Sequence, residues 1–229
     1  LSPSLFPISP FVVGPADTAG YQTIQSAIDA AVAVGGISAA IFVQPGLYVE
    51  DLDFSGCTVF TVGLTMVGAT ALGDQGQVEI EGTHIPPLSG ALVIRNFQLS
   101  SDTDIFLSSA AGTAHLSFID MLLNVTSGYT INLPNWTGIF EFFDINGGSQ
   151  NDGGINNTGG ASVFIFSAGV GAGNAHTMVL SGLVVSTAGN FGAPVNFVTG
   201  ANFSINQGNF NFPITFSNNS TGTLNYATI

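Results

Sequence analysis

Between Thr23 and Val34 the apolar residues Ile24, Ala27, Ile28, Ala31 and Val32 recur three and four positions apart, which predicts one stripe of an amphipathic helix. Thr23 suits the N-cap, and Gly35-Gly36 supplies the stop. The period then changes. "AAIFV" over 39–43 is a β-branched and aromatic strand, and Pro45-Gly46 suits a type II turn. "LYVEDLDF" then alternates apolar with acidic residues, as a strand with one buried face does.

Further on, short strand-like pieces alternate with Gly and Asn. Aligning "ALVIRNFQLSS", "HLSFIDMLLNV" and "IFEFFDINGGS" brings Asn96, Asp120 and Asp144 into register, at steps of 120 − 96 = 24 and 144 − 120 = 24. "SVFIFSAG", "TMVLSGLVVS", "NFSINQGNF" and "TLNYATI" continue the series less regularly, with second strands such as "DIFLSS", "YTINL", "PVNFV" and "PITFS" between them. Short strands repeating at this period predict coils that bury their inward side chains only by stacking on the next coil. About seven coils at ~4.8 Å each would make a rod of order 35 Å. A β-sandwich also has many short strands; the leading helix and the 24-residue register favour the coil.

The opening resembles the N-terminal cap and first coil of the pectin-lyase-like superfamily. The matches are Thr23, Ile24, Gln25, Ala27, Asp29, Ala30, Ala31, Phe42, Val43, Pro45, Gly46, Tyr48 and Glu50, within about the first sixty residues. The resemblance implies an all-β fold, a right-handed single-stranded parallel β-helix with a short N-terminal capping helix at about 23–34. The expected organisation is an extended arm over 1–20 and a β-helix domain over 21–229. Residues 1–15 hold four of the ten prolines and the apolar anchors Leu5, Phe6, Ile8 and Phe11, so the arm reads as extended chain able to pack along a neighbouring subunit or to act as a linker. The chain opens on Leu1 with neither Met nor a signal pattern, which reads as a processed product or an excised segment.

Charge narrows the partners. Only 7% of the residues are charged, against roughly 25% in an ordinary soluble domain. Arg95 is the sole Lys or Arg against 14 acidic residues, a formal net charge of −13. Nucleic acid and anionic membrane surfaces need clustered cations, so neither is an expected partner. No apolar run reaches the ~18 residues of a spanning helix. Residues 153–229 carry no charged side chain at all, yet hold Phe164, Phe166, Phe191, Phe197, Phe203, Phe210, Phe212 and Phe216. A chargeless, Phe-rich third predicts surface covered by copies of the chain; a surface solvated by Asn, Ser and Thr is the competing reading. Cys57 has no partner cysteine and reads as a small buried core residue.

Enzymes on the resembled scaffold rely on basic residues, paired aspartates, His-Gly or Arg-x-Lys motifs, or two aspartates with an Arg and glutamines. This chain has no Lys, no Asp-Asp and no His-Gly. The remaining catalytic candidates are Asp120, Asp144 and Arg95. Stacked on successive coils, the two aspartates would lie roughly 5 Å apart, close enough to share a proton or act as acid and base. The competing reading makes the column structural, Asn and Asp bonding to corner backbone, with Arg95 paired to Asp120. Asp102 and Asp104, with Asp74, Glu79 and Glu81, offer oxygen ligands for calcium or simply a solvated acidic turn. His84, His115 and His176 lack zinc-site spacing, and "GVGAG" at 169–173 lacks the context of a phosphate loop. Asn124-Val-Thr126, Asn135-Trp-Thr137 and Asn202-Phe-Ser204 match glycosylation acceptors. Trp136 and Tyr129 could stack on sugar rings if exposed.

The favoured reading is a non-enzymatic structural or attachment protein: a homo-oligomeric, trimeric β-helical fibre, spike or appendage component at a virion or cell surface. Its expected partners are copies of itself, with a surface glycan or other virion or appendage proteins beyond. No cofactor is expected. The alternative is a polysaccharide lyase or hydrolase on the same scaffold; an ice-binding or sugar-binding module ranks last.

Overall fold

The computed structural model describes residues 11–16, 19–69, 77–145, 154–166, 168–170, 176–198, 200–217 and 219–225. Residues 1–10 (with Leu5, Phe6 and Ile8 of the arm), Asp74, Asp152 and Gly171–Gly173 lie outside that set. The described chain winds as a parallel β-helix. Ten strands stack into one long sheet: Phe11–Val13, Ser38–Val43, Gly63–Gly68, Ala91–Arg95, His115–Ile119, Ile139–Phe143, Ser162–Phe166, Leu183–Thr187, Asn202–Asn206 and Thr221–Asn225. After each corner the chain contributes to a second face, whose strands include Gly46–Val49, Val78–Glu81, Gln98–Ser101 and Leu122–Val125. A third, narrower face runs from Phe106–Leu107 to Ile214–Phe216. No helix among the described residues is long and apolar enough to cross a membrane.

The 24-residue step holds from Ile94 to Phe118 and from Phe118 to Phe142. It shortens to 19 from Ser186 to Ile205 and from Ile205 to Leu224. Shorter late coils let more of them fit than the expected seven, and the nine steps between ten long-sheet strands give a stack of about 43 Å.

Coil identity follows from which side chains point in. Phe106, Phe118 and Phe142 stack up the axis with ring centroids 5.4 and 5.3 Å apart, and Phe191 lies on Phe210 at 4.6 Å. Of the tail's eight phenylalanines, Phe164 and Phe166 are half-buried and Phe212 and Phe216 are exposed. Phe191, Phe197, Phe203 and Phe210 are buried in the core, while Asn202, Ser204, Asn206, Thr221, Thr223 and Asn225 face solvent from its long-sheet strands. A shortened coil has fewer inward positions, which Phe fills here, and short polar side chains solvate the outer long sheet.

The capping helix spans Ile24–Val34, with Ile24, Ala27, Ile28 and Ala31 buried against the first coil. Thr23 Oγ1 accepts from Ser26 N at 3.2 Å, and Gly35 takes φ 65° at the C-cap. The opening motif ties this helix to the strand that follows. Glu50 Oε1 and Oε2 accept from Ile24 N at 2.9 Å and Gln25 N at 3.0 Å, a carboxylate on the positive end of the helix. Gln25 in turn accepts from Asp53 N at 2.8 Å and donates to Asp53 O at 3.3 Å. Replacing Glu50 with Ala removes both acceptors and is expected to cost about 1–2 kcal/mol in urea unfolding; Glu50→Gln, which keeps one, is expected to cost less.

Candidate functional site

Three successive corners at the end of long-sheet strands turn on one residue in the left-handed region: Asn96 at φ 64°, Asp120 at 52° and Asp144 at 49°. Side chains with a Cβ avoid this region, and Asn and Asp tolerate it best. Later corners use Ala188 at 56° and Gln207 at 58°. The corner amides climb the stack in one ladder. Asn96 N donates to Ile119 O at 3.0 Å, Asp120 N to Phe143 O at 3.0 Å and Asp144 N to Phe166 O at 3.2 Å. Asn96 is buried, and its Nδ2 donates to Gly68 O at 3.0 Å. Arg95 points out from the long sheet, its Nη2 at 3.4 Å from Asp120 Oδ2. The structure therefore brings Arg95 to Asp120 and places Asp120 and Asp144 on adjacent corners, where their backbone conformation shapes the turn.

Asp102 and Asp104 go to different tasks. Asp104 Oδ1 accepts from Tyr129 N at 2.7 Å and its Oδ2 from Asn132 Nδ2 at 2.9 Å. Asn132 Oδ1 then accepts from Asn156 Nδ2 at 2.9 Å, which extends the ladder up the third face. Asp102 accepts from Thr126 Oγ1 at 3.3 Å on the next coil. Glu79 Oε1 accepts from Gln98 Nε2 and Ser100 Oγ, both at 2.8 Å, and Asp51 Oδ1 from Thr83 N at 2.8 Å. Glu50, Asp51, Glu81 and Asp102 border a shallow cleft of about 260 Å³ on the second face. Among the described residues no group of three or more His, Cys, Asp or Glu is placed to hold a metal.

The remaining candidates are scattered. His115 Nε2 lies 2.7 Å from Glu141 Oε2 on the outer long sheet. His176 Nε2 sits 2.8 Å from Ser127 O, its ring 5.2 Å from that of Tyr129. The Tyr129 hydroxyl donates to Thr177 O at 3.3 Å, and burial, then Asp104, raises its pKa. Burial, with Asp53 and Asp29 adding, pushes the Cys57 thiol up to about 12, so it stays protonated and unreactive. Trp136 is fully buried and offers no face to a sugar. Of the glycosylation matches, Asn135 and Asn202 are exposed and Asn124 is half-buried; Asn135 Nδ2 donates to Ser109 O at 2.8 Å.

Sequence reasoning missed Asn157. It is fully buried, donates to Leu133 O at 2.8 Å and Trp136 O at 2.9 Å, and accepts from Ala161 N at 3.1 Å and Ser181 Oγ at 2.6 Å. Nothing in its local sequence distinguishes it from the other Asn, because three of its partners lie a coil away.

These coils are those of a right-handed parallel β-helix. Among solved structures the chain is similar to the pectin methylesterase from Aspergillus niger in deglycosylated form, at 19% identity and TM-score 0.50, over 98% of this chain and 91% of that one. The penultimately deglycosylated form of that enzyme aligns at 18% identity and TM-score 0.43, over 100% and 92%. At such identity the likeness is one of fold. No family model matches the chain, and no curated protein matches it.

Proposed function

We propose that this chain is a non-enzymatic structural or attachment module, a β-helical segment of a homo-oligomeric fibre, spike or surface appendage on the outside of a virion or cell. One observation carries the reading: five of its carboxylates act as ties within the stack. Glu50 holds the capping helix, Asp51 and Asp104 hold backbone amides of the next coil, Glu79 holds Gln98 and Ser100, and Asp120 pairs with Arg95. A general acid or base has to reach the substrate with its carboxyl group, and these five are turned to partners within the fold.

The test pairs activity with stability. Wild-type protein incubated with polygalacturonate and with methyl-esterified pectin is expected to release no reducing ends, unsaturated product or methanol above blank. Asp120→Asn and Asp144→Asn, which suit the corner conformation, are expected to change stability by less than about 0.5 kcal/mol. Asp144→Val is expected to cost about 1–2 kcal/mol, because a β-branched residue resists the left-handed region. Turnover by the wild type that Asp120→Asn or Asp144→Asn abolishes overturns the proposal and supports a polysaccharide-cleaving enzyme.

A further inference from the structure

We propose that residues 5–10 form a strap along the open edge of the long sheet beside the capping helix, and so close that edge to any other strand. The inference goes beyond the functional reading and stands whether or not the chain is an enzyme. The first long-sheet strand, Phe11–Val13, pairs with only half of its neighbour Ser38–Val43: Phe11 stands opposite Ile41, Val12 opposite Phe42 and Val13 opposite Val43. Among the described residues no strand pairs with Ser38, Ala39 or Ala40 on that side. Such an edge is a template for a strand from another chain. The aliphatics Val34, Ile37 and Val62 are 59%, 66% and 61% exposed at the start of the same edge, where Val62 N donates to Ile37 O at 2.8 Å.

The backbone selects what fits there. Gln44 N donates to Val13 O at 2.9 Å, and Tyr21 N to Val12 O at 3.1 Å. Odd positions of the first strand therefore turn their amides toward Ser38–Val43, and even positions turn them away. Carried three residues upstream, the register sets Pro10 opposite Ala40, Ser9 opposite Ala39 and Ile8 opposite Ser38. Pro10, without an N–H, falls where the amide turns away from the sheet, and Ser9 falls where a donor is needed. A proline on the outer side of an edge strand leaves an arriving chain no donor to pair with. Pro7 falls at a position turned toward the neighbour, so its missing N–H ends the ladder, and Leu5 and Phe6 pass on to Val34, Ile37 and Val62. At ~3.3 Å per residue the six residues reach about 20 Å, half along the edge and half across the turn before it. The strap is continuous with the strand it extends, which keeps its effective concentration on the order of millimolar. Residues 1–16 carry no charge, whereas a second copy would bring −13 against −13.

Paired cysteines read the register. Directly opposite residues of neighbouring strands lie about 5 Å apart, within disulfide reach. Ile8→Cys with Ser38→Cys is expected to close a disulfide within one chain on air oxidation, to the same extent at every protein dilution. Ile8→Cys with Phe42→Cys, four residues out of register, is expected to stay reduced. Cys57 is buried and does not compete. In the wild-type protein the Ala40 amide, with Ser9 O as its acceptor, is expected to exchange with deuterium as slowly as that of Phe42. An Ile8, Ser38 pair that stays open, a bond that joins two chains instead, or equal closure of the out-of-register pair overturns the inference. So does an Ala40 amide that exchanges at least about 100-fold faster than that of Phe42.

Discussion

Trp136→Ala is expected to cost about 3–5 kcal/mol, the range for removing a large aromatic from a packed core. The side chain is fully buried, and Nε1 donates to Ala114 O at 3.0 Å. The ring sits so close to Gly112 that no Cβ fits between them. Deletion therefore opens a cavity at a corner where Asn157 also holds the Trp136 carbonyl. Trp136→Phe is expected to fall between wild type and Ala, because it keeps most of the volume and loses the indole hydrogen bond. Urea unfolding followed by circular dichroism reads both. As the only tryptophan, Trp136 also reports its own environment: its emission in the native protein is expected to be blue-shifted and poorly quenched by iodide. A ring that stacked on sugar would be red-shifted and readily quenched, and a cost under about 1 kcal/mol for Trp136→Ala would contradict the packing described.

The second large effect is acid sensitivity at His84. Its ring is buried, and Nδ1 accepts from Leu52 N at 3.1 Å, so the neutral ring carries its proton on Nε2. Burial lowers its pKa to about 4, against a smaller opposing pull from Asp51. A histidine in the unfolded chain titrates near 6.5. Above that value both states are neutral and the group is silent. As pH falls below it, the unfolded chain takes up a proton that the folded one refuses, so stability is lost progressively until the folded ring protonates near 4. The total is about 2.5 units at about 1.4 kcal/mol each, on the order of 3 kcal/mol. His84→Asn is expected to abolish this loss, because Oδ1 can accept from Leu52 N and nothing titrates. Subtracting the variant's unfolding free energy from that of the wild type between pH 7 and 4 isolates His84 from the carboxylates, which titrate in both. Parallel pH curves for the two proteins would refute the assignment.

Some of the candidate chemistry was legible in the chain and some was misleading. The column Asn96, Asp120, Asp144 was visible because its function is local: a one-residue left-handed corner favours Asn and Asp, although the later corners manage with Ala188 and Gln207. That the same carboxylates might act on substrate was equally readable, since residue type and spacing do not distinguish a turn former from an acid. Asp102 and Asp104 looked like a pair because they are two residues apart; their partners Thr126, Tyr129 and Asn132 lie 24 to 28 residues on. Trp136 suggested a stacking platform from its type alone, and only the coil around it shows that the ring is inside.

By itself the sequence determined the capping helix, the repeat near 24 residues and the corner positions Asn96, Asp120 and Asp144, because each depends on periodicity or on the backbone tolerance of a few neighbours; the type II turn it suggests at Pro45-Gly46 does not form, Gly46 taking φ 159° at the start of a strand. Only the tertiary structure decided which side of each strand is the core. Alternation marks two faces, but in "IFEFF" and "SVFIF" both carry large apolar residues, and Glu141 and Ser162 alone distinguish the outer one. Stacking settles that by filling the axis with Phe118, Phe142 and Ile165 and leaving Phe143, Phe164 and Phe166 outside. The same stacking ties the acidic residues to partners a full coil away, a distance no local pattern encodes.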